Sequence, residues 1–175
     1  MRNRGKFLEI PYNNFAVIDS QVFSVFDMLY ADYAVQRTEF LKKHKRVSEY
    51  DSENLAFSVI EEVLKQERFQ SVGCSIHSSL ATLVKDYSVL TAEETRYASN
   101  PLTHLDFLLF NTMNRAPLLA IEIDGTSFHA SGSSQALRDT IKDRVMEKIH
   151  IPLLRIKTNE SGERARIEEA LASAC

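Results

Sequence analysis

The sequence predicts an α/β fold in which helices flank a small mixed β-sheet. Two apolar segments, 104–111 and 117–124, have the length of strands and are separated by a turn-rich connection. A helical pattern over 135–150 then leads into another short strand, 153–156. A strand–helix–strand unit of this kind nearly always joins parallel strands through a right-handed crossover. The expected sheet therefore combines parallel and antiparallel pairs.

The composition is that of one globular domain. The chain has 175 residues, of which 44% are hydrophobic and 26% are charged. No apolar run approaches the roughly 20 residues that span a bilayer, and no secretory signal is expected. Cys74 and Cys175 lie far apart without the spacing of a metal site, so a reducing cytoplasm is the expected compartment. A net charge of −3 argues against a protein that coats nucleic acid by charge alone.

Residues 1–50 are expected to form an N-terminal extension or connector. Their apolar residues indicate a short strand over 15–18 and a buried helix over 21–33. The basic run 42–46 follows, and it fits either a solvated helix end or a phosphate contact. The domain proper is expected over 51–175.

The remaining elements follow from apolar periodicity and from residues that break regular structure. Apolar side chains take helical spacing after Ser52, which is a good N-cap residue, and then alternate with polar ones. Pro117 can only open its strand, because it has no N–H for an interior ladder, and Pro152 ends the crossover helix. In chain order, these elements are a helix from Ser52 to about residue 67, a strand over 69–78, a loop over 91–101 and a closing helix over 160–172.

Three acidic residues interrupt the two apolar strands. Asp106 lies in the first strand, and Glu122 and Asp124 lie in the second. A buried carboxylate is costly unless it is paired, hydrogen-bonded or bound to a metal. Because strand side chains alternate, one hairpin register places all three acids on one face, where they would suit a hard cation. Acids that simply face water at strand ends are the alternative. The register pairs Asp106 with Glu122, Leu108 with Ala120 and Phe110 with Leu118.

The helix over 135–150 provides the opposite charge. Gln135, Arg138 and Lys142 lie three and four residues apart, so they share one face of this helix. The helix begins one loop after Asp124, which allows its polar face to lie over the strand ends that carry the acids. Lys142 could then polarise a water or stabilise charge on a phosphoryl oxygen. An ordinary salt-bridging helix surface is the alternative.

Four sequence segments occur in a fixed order along this domain. They are Leu105-Asp106-Phe107-Leu108-Leu109, then Ala120-Ile121-Glu122-Ile123-Asp124-Gly125 with His129, then Arg138-Asp139 with Lys142, and finally Ile151-Pro152-Leu153-Leu154-Arg155-Ile156. This order, over roughly 51–175, resembles the PD-(D/E)XK nuclease superfamily. The closest resemblance is to its Vsr-like branch, which includes a domain of unknown function often fused to the C-terminal end of DNA helicases. The resemblance implies a restriction-endonuclease-like core.

The resemblance also implies a magnesium-dependent DNA endonuclease that acts in DNA repair, processing or defence, with Mn²⁺ as a substitute metal. Asp106 and Glu122 would bind the metal, with the Ile123 carbonyl as a further ligand and Asp124 beside them. Glu53, on the first helix, matches more loosely an acidic residue that some members direct at the metal. A helicase or another ATPase, fused or separate, is the protein partner that this resemblance implies, and DNA is the substrate.

The sequence departs from the superfamily pattern at one position. The usual Lys two residues after the Glu is Asp124 here, and some relatives carry a compensating cation on the following helix, where Lys142 or Arg138 would correspond. Gln135 and Arg138 would orient the water or the phosphate, and His129 would act as an acid, a base or a phosphate contact. The alternative is a catalytically inactive, nuclease-like module that binds nucleic acid or docks a partner.

Overall fold

The computed structural model describes residues 46–125, 134–158 and 161–175, together with isolated helical positions between 31 and 43. The predicted strand over 15–18 lies outside these residues, and of the predicted helix over 21–33 only positions 31 and 32 are described, both helical. None of the helices in the described part of the chain has the length and apolar character needed to span a membrane.

Four strands and four longer helices make up the described fold. The helices are α1 (Asp51–Leu64), α2 (Ala92–Ala98), α3 (Ser134–Lys148) and α4 (Glu163–Ala174). The strands are β1 (Val72–Ser79), β2 (His104–Asn111), β3 (Pro117–Asp124) and β4 (Leu153–Lys157). Short 3₁₀ turns lie at Glu67–Phe69, Leu80–Thr82 and Tyr87–Val89.

The four strands form one mixed sheet in the order β1-β2-β3-β4. β1, β2 and β3 pair antiparallel in sequence, whereas β3 and β4 are parallel and are connected through α3. The mixed α/β architecture expected from the sequence is therefore confirmed. β2 and β3 also have the predicted bounds, because their apolar runs end at turn residues on both sides.

The register of the β2–β3 hairpin follows the prediction near the acids and departs from it at the turn. Leu108 pairs with Ala120, as expected, but the register then shifts and Phe110 pairs with Pro117 rather than with Leu118. A bulge at this point is consistent with Pro117, which cannot donate to a regular ladder.

The sheet carries a hydrophobic core on each face. Side-chain alternation in β3 places Leu119 and Ile121 on the face covered by α1 and α4, and Ala120 on the opposite face, against α2 and α3. Glu122, two residues after Ala120, therefore lies on the same face as α3. Besides these strand residues, the first core contains Ile60, Val63, Phe107, Ile167 and Leu171, and the second contains Leu105, Leu108, Ile141, Val145 and Ile151.

The expected loop over 91–101 is wrong, because it contains the helix α2. Thr91 is the N-cap of this helix, and it forms a capping box with Glu94, in which each side chain binds the other residue's backbone N–H. Glu94 is itself buried and is bound by Lys148 of α3, so packing against α3 adds to the stability of this short helix.

The largest of the other differences from the predictions lie at the ends of three elements. α1 begins at Asp51 and ends at Leu64, and its N-cap is Tyr50, two residues before the predicted cap Ser52. The 3₁₀ turn that follows delays the start of β1 to Val72. α4 begins at Glu163 rather than 160, since Gly162 precedes it with a left-handed φ of 88°.

The segment before α1 packs against the domain. The side-chain oxygen of Asn54 accepts from the backbone N–H of Val47 at 2.7 Å, and Val47 packs against the core between the sheet and α1. Arg46 forms an ion pair with Asp51 at 3.0 Å. The packed unit thus reaches into the end of the segment that the sequence analysis assigned to an N-terminal extension.

Candidate metal centre

The hairpin of β2 and β3 brings two of the predicted acids together. Because Phe107 pairs with Ile121, the next positions along the two strands, Asp106 and Glu122, come opposite each other at the end of the hairpin ladder. The backbone N–H of Ile123 donates to Asp106 Oδ2 at 2.8 Å. The Ile123 backbone therefore lies directly beside the Asp106 carboxylate, and Ile123 follows Glu122 in β3.

Glu122 is buried, and its two carboxylate oxygens have unequal surroundings. The residue is only 6% exposed. Its Oε2 accepts from Lys142 Nζ at 2.7 Å, whereas Oε1 is buried and has no hydrogen-bond partner among the described residues. Burial raises the pKa of Glu122 to about 7; the charge of Lys142 opposes this rise, and the charge of Asp106 adds to it.

Lys142 connects α3 to both strands. Its ammonium group donates to Glu122 and also to the backbone carbonyl oxygen of His104, at 3.0 Å. Lys142 is buried as well, so its aliphatic stem and its charge are both held in place. Of the predicted polar face of α3, the structure thus brings Lys142 to the strand ends that carry the acids.

Asp106 is a partly buried acid whose pKa is affected by a neighbouring carboxylate. Burial raises its pKa, and the charge of Glu53 raises it further, while the Ile123 N–H, Lys142 and His104 act in the opposite direction. Glu53 is itself buried on α1, and its Oε2 lies 3.0 Å from His77 Nε2. Glu53, the most loosely matched of the predicted ligands, therefore acts on Asp106 through its charge and contacts His77.

Asp124 is engaged differently from Asp106 and Glu122. Its Oδ1 accepts from Arg155 at 2.9 Å, and the same guanidinium binds Asp143 of α3 at 2.9 Å. Arg155 also lies 3.7 Å from Asp139. In β4, Arg155 is the parallel-strand partner of Glu122. In this structure, Asp124 therefore belongs to an ion-pair network that braces α3 against β4.

Of the other predicted site residues, the structure describes the side chain of only one. Arg138 is exposed on α3. Gln135 belongs to α3, but its side chain is outside the described part of the structure, and His129 lies wholly outside it. The predicted roles of Gln135 and His129 stay predictions.

Three residues of this region were not identified from the sequence. Arg155 is a charged residue inside an apolar strand, which is the same pattern that identified the acids, but no role was predicted for it. His104 enters through its backbone carbonyl, which no side-chain pattern reveals. His77 reaches Glu53 from a backbone conformation that strand periodicity does not predict.

An open cleft of about 770 Å³ adjoins the acid cluster. Two of the cleft residues connect it to the cluster, since the charge of Glu53 acts on Asp106 and the carbonyl of His104 accepts from Lys142. The cleft is lined by Arg46, Val47, Ser48, Glu49, Tyr50, Glu53, His77 and His104.

The predicted convergence of three carboxylates is not present as a complete ligand set. Among residues 46–125, 134–158 and 161–175, no group of three or more His, Cys, Asp or Glu side chains is arranged to hold a metal ion. The fold brings together a pair of acids, Asp106 and Glu122. The backbone N–H of Ile123 donates to Asp106, and Lys142 donates to one carboxylate oxygen of Glu122.

Comparison with known proteins gives a family without an assigned activity. No curated protein and no solved structure matches the chain. A family model described as a protein of unknown function, DUF2726, matches residues 47–174. Because this match covers far more than half of the sequence, the chain belongs to the DUF2726 family.

Proposed function

We propose that this protein is a divalent-cation-dependent nuclease that hydrolyses phosphodiester bonds in DNA. The observation that carries the proposal is Glu122 Oε1, a buried carboxylate oxygen without a hydrogen-bond partner among the described residues. Buried polar atoms in folded proteins nearly always have partners, and an exception calls for an unseen water, ion or functional role. A cation bound between Glu122 and Asp106 would supply the missing partner.

The residues at this position fit magnesium. Asp106 uses Oδ2 to bind the Ile123 N–H, and Glu122 uses Oε2 to bind Lys142. Each acid thus has a second oxygen for a cation, and the Ile123 carbonyl is a further oxygen donor. Mg²⁺ is held in proteins by one or two carboxylates together with waters and substrate phosphates, so the pair suffices without a complete protein cage. Mn²⁺ accepts the same oxygen ligands.

Each residue of the cluster has a distinct task in this proposal. Bound Mg²⁺ would lower the pKa of a coordinated water and polarise the scissile phosphate. Lys142 fixes the orientation of Glu122, and described residues use only two of its three donors, so the third is directed to a water or a phosphate oxygen. Arg138, Gln135 and His129 keep their predicted roles as contacts to the water or the phosphate.

The departure at Asp124 is compatible with this arrangement. The usual Lys of the superfamily that the sequence resembles would stand at position 124, and here Lys142 provides an ammonium group at the Glu122 carboxylate instead. The positive charge is kept, but it comes from α3. Asp124, neutralised by Arg155, then holds α3 and β4 in register and is not needed as a ligand.

The proposal also includes a compartment, a substrate and a protein partner. Both cysteines are free, which accords with a reducing cytoplasm. DNA is the proposed substrate, and a helicase or another ATPase, fused or separate, is the proposed partner that would present it.

Nicking of supercoiled plasmid tests the function. We expect nicking with Mg²⁺ or Mn²⁺ and none with EDTA. Asp106→Asn and Glu122→Gln should each lower the rate by at least about 100-fold, which corresponds to about 2.7 kcal/mol of transition-state stabilisation. Glu93→Gln, a matched change at an exposed carboxylate on α2, should cut like the wild type. Nicking that persists in both site variants would reject this site.

A non-catalytic module that binds nucleic acid or docks a partner is the second candidate. It is favoured by the incomplete ligand set among the described residues and by the net charge of −3. Calorimetric titration with Mn²⁺ separates the two candidates. A nuclease should bind Mn²⁺ and lose this binding in Asp106→Asn, whereas an inactive relative should give no heat at the acid pair.

A further inference from the structure

His77 has an unusual backbone conformation for a residue within a strand. Its φ is 50°, in the left-handed region that residues other than glycine rarely occupy. The neighbours on either side keep the ladder, since Ile76 pairs with Phe107 and Ser78 pairs with Leu105. The irregularity therefore lies between two recorded ladder pairs of β1 and β2.

This conformation changes the face to which the His77 side chain points. Ile76 packs on the core between the sheet and α1, so regular alternation would turn His77 towards the opposite face, where α3 lies. Instead, His77 Nε2 lies 3.0 Å from Glu53 Oε2, on α1. The hydroxyl of Ser78 also reaches that of Ser75 at 2.9 Å, across the same break in alternation.

Strained residues of this kind persist where the surrounding structure holds them, and they cluster at functional sites. At His77, the strained backbone accompanies two contacts, a tilted ring contact with His104 at 5.2 Å between centroids and the polar contact of Nε2 with Glu53. Among the described residues, His77 is also the hydrogen-bond partner of the Glu53 carboxylate. The strain therefore serves to fix the direction of a single buried acid.

The partner of this acid, His77, stands across the β1–β2 ladder from Asp106, between the pairs Ile76–Phe107 and Ser78–Leu105. Glu53 is 9% exposed, and its charge adds to the effect of burial in raising the pKa of Asp106. It also lines the open cleft next to the centre, as His77 does. Glu53 thus lines the cleft, and its charge acts on Asp106.

We propose that His77 is a positioning residue that holds Glu53 towards Asp106, so that Glu53 completes the cation site as a third carboxylate. This inference rests on the proposed function of the site. His77 donates through Nε2–H to Glu53 Oε2 and leaves Oε1 for the cation or for a water bound to it. Outer partners of this kind orient the ligand carboxylate, and their loss typically weakens metal affinity 10-fold or more.

Three substitutions at position 77 test this inference through the Mn²⁺ affinity of the full chain, measured by calorimetry. In His77→Gln the amide nitrogen can take the place of Nε2, so the affinity should stay within about threefold of the wild type. His77→Asn tolerates the left-handed backbone but is too short to reach Glu53, and it should bind Mn²⁺ about 10-fold more weakly. His77→Gly removes both the side chain and the strain, so it should lose the same affinity while its unfolding temperature is unchanged or higher.

The outcomes distinguish this inference from the proposed function. Wild-type affinity in His77→Asn and His77→Gly would overturn the role of His77, and so would an equal loss in His77→Gln and His77→Asn. A fall in unfolding temperature for His77→Gly that parallels its loss of affinity would also overturn it. In each of these cases, loss of Mn²⁺ binding in Asp106→Asn keeps the proposed function. No Mn²⁺ binding by the wild type, or unchanged binding in Asp106→Asn, would overturn both.

Discussion

Two buried glutamates, Glu94 and Glu122, each bind a lysine of α3, yet their carboxylates are satisfied to different degrees. Glu94 is 2% exposed. Its Oε2 accepts from Lys148 at 2.6 Å and from the backbone N–H of Thr91 at 2.8 Å, and its Oε1 lies 3.3 Å from Arg144 Nε. The hydrogen bond from Lys148 is the largest of the causes that lower the pKa of Glu94 to about 2.

Glu122 has fewer partners at a similar depth. Lys142 binds one of its oxygens, the other has no partner among the described residues, and burial raises its pKa to about 7. Burial alone therefore does not distinguish the two residues. Glu94 is surrounded by donors and joins α2 to α3, which is a structural role. Glu122 is held by one donor and keeps an oxygen for a ligand, which is what a cation site requires.

Addition of Mn²⁺ should affect the two glutamates most differently. A cation that binds only the folded chain, at 100 times its dissociation constant, adds about 2.7 kcal/mol to the free energy of unfolding. We expect this increment in the wild type and in Glu94→Gln, and its loss in Glu122→Gln. Urea unfolding with and without Mn²⁺ measures it. Equal increments in all three proteins would place the cation elsewhere.

Substitution of Glu94 should produce the next largest effect. Glu94→Gln removes the negative charge from a carboxylate with three donors, and it should lower the free energy of unfolding by about 2 kcal/mol, the scale of a hydrogen bond to a charged group. Glu93→Gln, the exposed neighbour on α2, is the matched control and should change it by less than about 0.5 kcal/mol. Urea unfolding of both variants checks the prediction, and similar losses would remove the structural role of Glu94.

Lowering the pH should gradually remove the stability that Glu94 contributes, and this change should be smaller than the two effects above. Its pKa is lowered from 4.5 to about 2 by folding, so the unfolded chain takes up this proton at the higher pH. The stability from Glu94 is therefore fully present above pH 4.5 and is lost as the pH falls towards 2. Urea unfolding across this range should show the wild type and Glu94→Gln converging in acid. A difference that stays constant down to pH 2 would contradict the lowered pKa.

The sequence was most informative where a charged residue interrupts an apolar strand pattern. Asp106 and Glu122 stand out because each is a charge inside an apolar run, and the bounds of β2 and β3 follow from the same runs. Lys142 could be predicted because helical spacing fixes its face. These features depend on local pattern alone, so no knowledge of the tertiary structure was needed.

What could not be predicted depends on contacts between distant segments. The partner of Asp124 is Arg155, which lies diagonally across from it, because the parallel register of β3 and β4 sets Arg155 opposite Glu122; no local pattern specifies that register. α2 has only seven residues, and its one local signal is the capping box of Thr91 and Glu94. His77 meets Glu53 only because its backbone departs from the regular strand.

The crossover through α3 has a consequence for the order in which the centre is made during synthesis. Asp106 and Glu122 leave the ribosome before Lys142, and Arg155 follows after the rest of the helix. A nascent chain therefore carries the acids before it carries their counter-charges, and the centre matures only when α3 has docked. If the proposed function holds, cutting activity would emerge late, in chains that have already completed the domain.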